Sequence, residues 1–494
     1  MIALMRNATW SGFAAAVRAA MGLVIALLAV RLLGAERYGW VATLLSLFVL
    51  YLTLNSSVFT VLVAKLMESR HPGSGSGSEN AEPVVAATML TVVSIVVLGL
   101  LTLVLCSTAP SFLLSGKAGD VLPWQIQGAI LAMGILTACQ IVNALQAAMI
   151  EGAGRLDLAM KCQLIGPVTV SVLLLALLLI QMPVSPSGYV TILCCGALLD
   201  LSLLFLVRRR LLTFPFPLFP SRQHRTAMWG LLKSGTTLQA ASLLGLFLEP
   251  LNKLLLNYLV GPLAVTSYDL VMKVIWGIQS LFAAAMRVFL HMSGELGRTV
   301  GLAYSRALSL ILVPVLLSHV FAAVFLAWVA HEWISIGDAR QFMMFFCIAT
   351  LSNLGMIYVT PIYVSLIGRG DLHFILRSQA IVAVTNVLVS LTLIPHFGLL
   401  GAAFGLLAAT AYNVVAIYLR HERTVGLSDG LVAVFMQHAG RYSLSALLLI
   451  AALLTSGGEL PDYVAQVMIL LAATIIMKRE LLVSKVLQQM RGRA

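Results

Sequence analysis

The sequence predicts an all-α polytopic membrane protein of about fourteen transmembrane helices. They are expected to form two six-helix lobes related by a pseudo-two-fold axis, followed by a C-terminal helix pair. Three observations predict this. Over 494 residues the chain is 60% hydrophobic and 10% charged, with a mean hydropathy of +0.99, a balance that no ordinary solvated surface allows. Apolar stretches recur near the roughly 20 residues a helix needs to cross a bilayer. Short polar phrases also recur at corresponding places in the two halves.

In the first half the apolar stretches cover 8–33, 40–66, 84–114, 126–150, 158–180 and 189–207. In the second they cover 231–260, 263–292, 302–330, 342–367, 372–394 and 399–419, and two shorter ones follow at 442–455 and 464–477. This divides the chain into an N-terminal lobe (1–212), a cytoplasmic inter-lobe linker (213–229), a C-terminal lobe (230–421), and a last helix pair with a basic tail (422–494). With the N-terminus inside, about 23 Lys and Arg fall on inner connections and tails, and about 4 on outer ones. Both termini are therefore expected in the cytoplasm. The net charge of +12 is mostly this topological bias, so nucleic acid is not an expected partner. No cleavage pattern follows the first apolar run, which is expected to stay as an anchor. Cys106, Cys139, Cys162, Cys194, Cys195 and Cys347 all lie in apolar segments without metal-ligand spacing, so buried thiols and no metal are expected.

"GRLDL" at Gly154 and "GRGDL" at Gly368 lie where one apolar stretch ends and the next begins. Glycine stops a helix in the left-handed conformation. Arg155 and Arg369 suit the C-terminal dipole and the inner membrane face, and Asp157 and Asp371 are placed to cap the following helix. Each phrase reads as a cytoplasmic hairpin and candidate gate. Its recurrence suggests a duplicated bundle. A second correspondence agrees: "RNATW" at Arg6 leads to Gly34, and "KSGTT" at Lys233 leads to Gly261, with the same spacing. The hairpins lie 214 residues apart and these landmarks 227. The loop 69–83, "SRHPGSGSGSENAEP", is the candidate insertion in the first copy. Six helices per copy leave both copies pointing the same way, which suits a two-lobed transporter.

Arg6, Asn7 and Trp10, followed by "RLLGAERYG" with Arg31, Leu33, Gly34, Tyr38 and Gly39, resemble the start of bacterial oligosaccharide-lipid flippases. These are the Wzx-like polysaccharide biosynthesis proteins of the multidrug, oligosaccharidyl-lipid and polysaccharide exporter superfamily. The resemblance implies two six-helix lobes around a central cavity in a bacterial inner membrane, and a flippase, not an enzyme, that carries a polyprenyl-pyrophosphate-linked oligosaccharide outward by alternating access. The cargo would be an O-antigen or exopolysaccharide repeat unit on an undecaprenyl carrier. The resemblance also implies coupling to a proton or sodium gradient with no other cofactor, a glycosyltransferase upstream and a polymerase downstream. "LEPLNKLLLNYLVG" in the second half departs from the family pattern.

Intramembrane charge narrows the site. A charge at a helix centre costs about 2.5 to 3.5 kcal/mol on insertion scales, so it faces protein or water. Arg18, Lys253, Lys273 and Arg287 are the candidate cations for an anionic head group. Asp269 and Lys273, four residues apart, are equally placed to neutralise one another. Glu249, Asp269 and Asp200 are the candidate ion-coupling acids, and packing or ion pairing is the competing reading for each. His319 reads as a satisfied buried imidazole. Pro250, between Glu249 and Lys253, removes a backbone donor and favours a bend; Gly22 corresponds to Glu249, so Gly22 and Pro250 are candidate hinges. No GxxxxGK[ST] phosphate loop is present, so no ATP motor of that type is expected. The alternatives are a lipid II flippase, which needs a similar basic cavity, and a multidrug or cation antiporter, which the basic excess disfavours. A membrane glycan polymerase or ligase would need larger outer loops and a clustered acid, base or metal set.

Overall fold

The computed structural model describes residues 2–68, 81–114, 123–211, 248–296, 339–368 and 371–425, with 229, 240, 243–245, 318–319, 321–323, 325–326 and 328–329. The helices are α1 (Ile2–Leu33), α2 (Ala35–Glu68), α3 (Ala81–Leu114), α4 (Pro123–Gly152), α5 (Leu156–Leu179) and α6 (Pro186–Leu211), then α7 (Pro250–Leu259), α8 (Pro262–Leu296), α9 (Ala339–Gly368), α10 (Leu372–Phe397) and α11 (Leu399–Val425). No strand occurs among the described residues. Eight helices among them are long and apolar enough to cross a membrane, and the chain is a multi-pass membrane protein. Several helices overrun their apolar stretches: α2 begins at Ala35 and α6 continues to Leu211. Hydropathy marks only the lipid-embedded length, while the terminal backbone groups keep the helix going into its polar ends. Most of the linker 213–229, most of the loop 69–83, and the C-terminal pair after residue 425 lie outside the described residues.

The helices pack in two bundles of repeated design. In the first, α4 packs on α6, α1 on α5, α2 on α4, and α5 on α6. In the second, α9 packs on α11, α7 on α10, α8 on α9, and α10 on α11. Their satellite apolar clusters match as well: Ile150, Ala159 and Leu204 pack together in one, and Leu366, Ile375 and Ile417 in the other. A larger cluster runs from Ala26 on α1 to Leu406 on α11 and joins the bundles. Val92, Val93, Val96, Val97 and Leu100 on α3 are exposed, as suits a helix whose solvent is lipid. Cys195 is exposed too, unlike its expected burial, because α6 turns that face away from the bundle.

The backbone repeats at its turns. Gly34 (φ 85°) and Gly261 (φ 124°) both hold the left-handed conformation, each accepting no side chain without strain. They end α1 and α7 and launch α2 and α8. At the hairpins, Arg155 N–H donates to the Ile150 carbonyl at 3.1 Å, and Asp371 N–H to the Leu366 carbonyl at 3.1 Å. This bond closes a helix C-terminus, and it pairs Arg155 with Asp371. Helices α4 and α9 correspondingly end at Gly152 and Gly368. The two polar phrases are therefore two residues out of structural register, because backbone closure, not lettering, sets where each helix stops.

The expected caps also differ. The N-cap position of α5 is Arg155, without a side-chain cap bond, and Asp157 sits inside the first turn, accepting from Arg155 Nε at 3.2 Å. Asp371 holds the N-cap position of α10, but its carboxylate turns to Arg420 Nε of α11 at 2.7 Å. In both places a cation takes the carboxylate that the helix amides were expected to use. Arg369 lies outside the described residues.

Candidate functional site at the lobe seam

The two bundles meet where α1 and α2 pack against α7 and α8. Contact of α1 with α8 mirrors contact of α2 with α7, and α2 meets α8 directly. The seam thus has the symmetry of the repeat.

Proline shapes the C-terminal side. Leu248 and Glu249 form a turn, Glu249 is the N-cap of α7, and Pro250 occupies its first turn, where a missing N–H costs nothing. The Leu248 carbonyl, left outside the helix, accepts from Tyr268 OH at 3.3 Å and from Asn386 Nδ2 at 3.5 Å. Asn252 and Asn386 exchange amide hydrogen bonds at 3.3 and 3.2 Å, and Asn252 Nδ2 also donates to Tyr268 OH at 3.4 Å. Buried polar groups must find such partners at bilayer depth. By contrast α1 runs unbroken through Gly22, around which a Cβ would meet nothing within 4 Å.

One turn further, Lys253 Nζ donates to Glu249 Oε1 at 2.5 Å and to Asp269 Oδ1 at 2.6 Å. Lys273 Nζ donates to the other oxygen, Asp269 Oδ2. Tyr38 OH of α2 donates to that same oxygen at 2.5 Å, and Lys273 Nζ lies over the Tyr38 ring, 5.9 Å from its centroid. Two lysines balance two carboxylates, so the cluster is formally neutral. Exposure separates its members: the Asp269 and Lys253 side chains are 2% and 8% exposed, Glu249 24% and Lys273 34%. Lys253 is therefore held between carboxylates in the interior, and Lys273 is the more accessible of the two cations.

The helix starts beside this cluster approach closely. Thr266 Oγ1 donates to the Ala35 carbonyl at 2.5 Å. A Cβ placed on Gly39 would fall 1.8 Å from the Pro262 carbonyl oxygen and 2.7 Å from Thr266 Oγ1. Only glycine permits that backbone approach. Ala35 and Gly39 correspond in the repeat to Pro262 and Thr266, so the two lobes make the same crossing from both sides.

The other expected site residues lie elsewhere. Arg18 reaches from α1 to α5, where its Nη1 donates to Gln163 Oε1 at 3.1 Å and its Nη2 to Met160 Sδ at 3.2 Å. Asp200 on α6 accepts from Gly166 N–H at 2.7 Å, one residue before Pro167 in α5. Its carboxylate also lies where a Cβ on Gly166 would go. Arg31 is exposed in the last turn of α1. Arg287 lies on the later part of α8, whose backbone alone is described. His319 bonds Asn353 at 3.1 Å through its Nε2. Among the described residues no group of three His, Cys, Asp or Glu is placed to hold a metal.

Sequence reasoning missed Asn252, Tyr268, Asn386 and Thr266, and it read Tyr38 only as part of a motif. Tyr38 and Asp269 are 231 residues apart, and nothing local announces their meeting. Asn252 beside Lys253 in an apolar run was the one available signal.

No family model matches the chain, and no curated protein matches it. Solved structures do. The lipid II flippase MurJ, in an inward closed conformation, matches with a TM-score of 0.66 at 12% identity, over 98% of this chain and 100% of that one. An inward-facing multidrug resistance MATE family transporter of the MOP superfamily matches with 0.61 at 16%, over 85% and 94%. The MATE multidrug transporter DinF-BH in complex with R6G matches with 0.61 at 15%, over 85% and 95%. At these identities the likeness is one of fold: this chain has the two-lobed helical fold of those structures.

Proposed function

We propose that this protein is a flippase for a polyprenyl-pyrophosphate-linked oligosaccharide, moving it by alternating access from the cytoplasmic to the outer face of a bacterial inner membrane. The observation that carries this reading is the full-length likeness to a lipid II flippase, 98% of this chain against 85 to 90% for the MATE structures. Arg18 at the α1 and α5 contact and the half-exposed Lys273 are the cations that suit a pyrophosphate or an acidic sugar. A cationic drug would meet them unfavourably. The neutral cluster at Lys253 serves the lobes in this reading more than the cargo. Coupling to a proton or sodium ion remains part of the proposal, with Asp200 and Glu249 as the acids that retain some exposure.

The same likeness favours lipid II as the second reading, since its carrier head is chemically the same. Mass spectrometry of lipid-linked intermediates in cells lacking the protein, with a sidedness assay on membrane vesicles, separates the readings. A glycan-lipid that accumulates on the inner face and is relieved by complementation supports the proposal and identifies the cargo; accumulation of a peptide-bearing precursor selects lipid II. Unchanged intermediates together with retention of a small cationic compound would overturn both.

A further inference from the structure

The seam cluster has an arrangement of charge that packing alone does not require. All three ion pairs, Lys253 with Glu249, Lys253 with Asp269 and Lys273 with Asp269, join residues of α7 and α8 or the turn just before α7, inside one lobe. Among the described residues, the N-terminal-lobe groups that meet the cluster and the crossing beside it are neutral: the Tyr38 hydroxyl and ring face, the Ala35 carbonyl, and the bare backbone of Gly39. Separating the lobes here exposes no uncompensated charge, because Asp269 keeps both lysines when Tyr38 leaves. A bond across the seam between opposite charges would instead strand a buried ion on each side, the costliest way to break an interface. A hydroxyl donating to an ionised carboxylate is still a strong directional contact.

We infer that Tyr38 and Asp269 form a releasable latch that holds the lobes together at the end of the seam marked by Gly34 and Gly261. Lys253 and Lys273 keep the Asp269 acceptor ionised in both the latched and the released state. Gly39, lacking a Cβ, lets the helix starts approach closely enough for the hydroxyl to reach. The inference rests on the two-lobed transporter reading but not on any cargo.

The test uses purified full-length protein in lipid nanodiscs, where both membrane faces are open to reagent. Thr266, fully buried in the crossing, is replaced by Cys and its rate of modification by a membrane-impermeant maleimide is read by mass spectrometry. Tyr38→Phe, which removes one oxygen, is then added. The latch predicts that labelling at position 266 rises several-fold in the Tyr38→Phe variant, while native Cys347, buried on α9, labels at its original rate. Unchanged labelling at position 266 overturns the latch. An equal rise at Cys347 overturns it in favour of general loosening. Because labelling reads lobe separation without any transported molecule, failure here is distinct from failure of the flippase assay.

Discussion

At corresponding places in the two lobes the backbone is copied and the chemistry is not. Glu249, Lys253, Asp269 and Lys273 on the C-terminal side stand where the N-terminal lobe has Gly22, Ala26, Ala42 and Ser46. Both pairs of helices turn at a left-handed glycine and make the same crossing. Yet one side carries four charges and a proline-led helix start, while the other has an unbroken α1 and no charge at the corresponding positions. The difference teaches that a repeated backbone can frame the seam while the charges sit on one face of it.

The comparison can be broken most severely by writing the C-terminal pattern into the wrong lobe. Ala42→Asp puts a carboxylate where Asp269 sits, but with Ala26 and Ser46 in place of its lysines. It should cost about 3 to 5 kcal/mol, read as loss of folded protein after detergent extraction. Gly39→Val tests the crossing itself, because its side chain must displace the Pro262 carbonyl. Overpacking of that kind costs about 1 to 3 kcal/mol, seen as a lowered Tm, and the same change at Gly22, where space is open, should cost less. The smallest effect is expected at Arg155→Ala, whose ion pair with Asp157 is 45% exposed on the arginine side. Such a pair contributes about 0 to 1 kcal/mol, so its Tm should barely move.

The fold was readable from sequence because its determinants are local or periodic. Apolar length marked the spanning helices, and Gly34 and Gly261 announced the same turn at the same spacing. Partners four apart, Glu249 with Lys253 and Asp269 with Lys273, were readable for the same reason. Lys253 reaching Asp269 was not, since that contact exists only once α7 and α8 pack. The expectation of Lys253 as an open cargo contact therefore meets a side chain enclosed by two carboxylates. Gly22 was read beside Pro250 by position, but the two residues act differently: glycine permits a bend, whereas proline removes a donor and imposes one. The twin hairpin phrases misled by two residues because a short polar string can slide along a loop, while the backbone bond closing a helix cannot.

The neutrality of the seam cluster has an electrical consequence. A membrane potential does work on a moving charge, about 2.3 kcal/mol per elementary charge per 100 mV. Glu249, Lys253, Asp269 and Lys273 travel together as two positive and two negative charges, so the potential exerts almost no net force on them when the lobes part. Opening at this end should be nearly blind to voltage. On the proposed flippase reading, any voltage sensitivity must then enter through the cargo, a coupling ion, or charges outside the cluster such as Arg18.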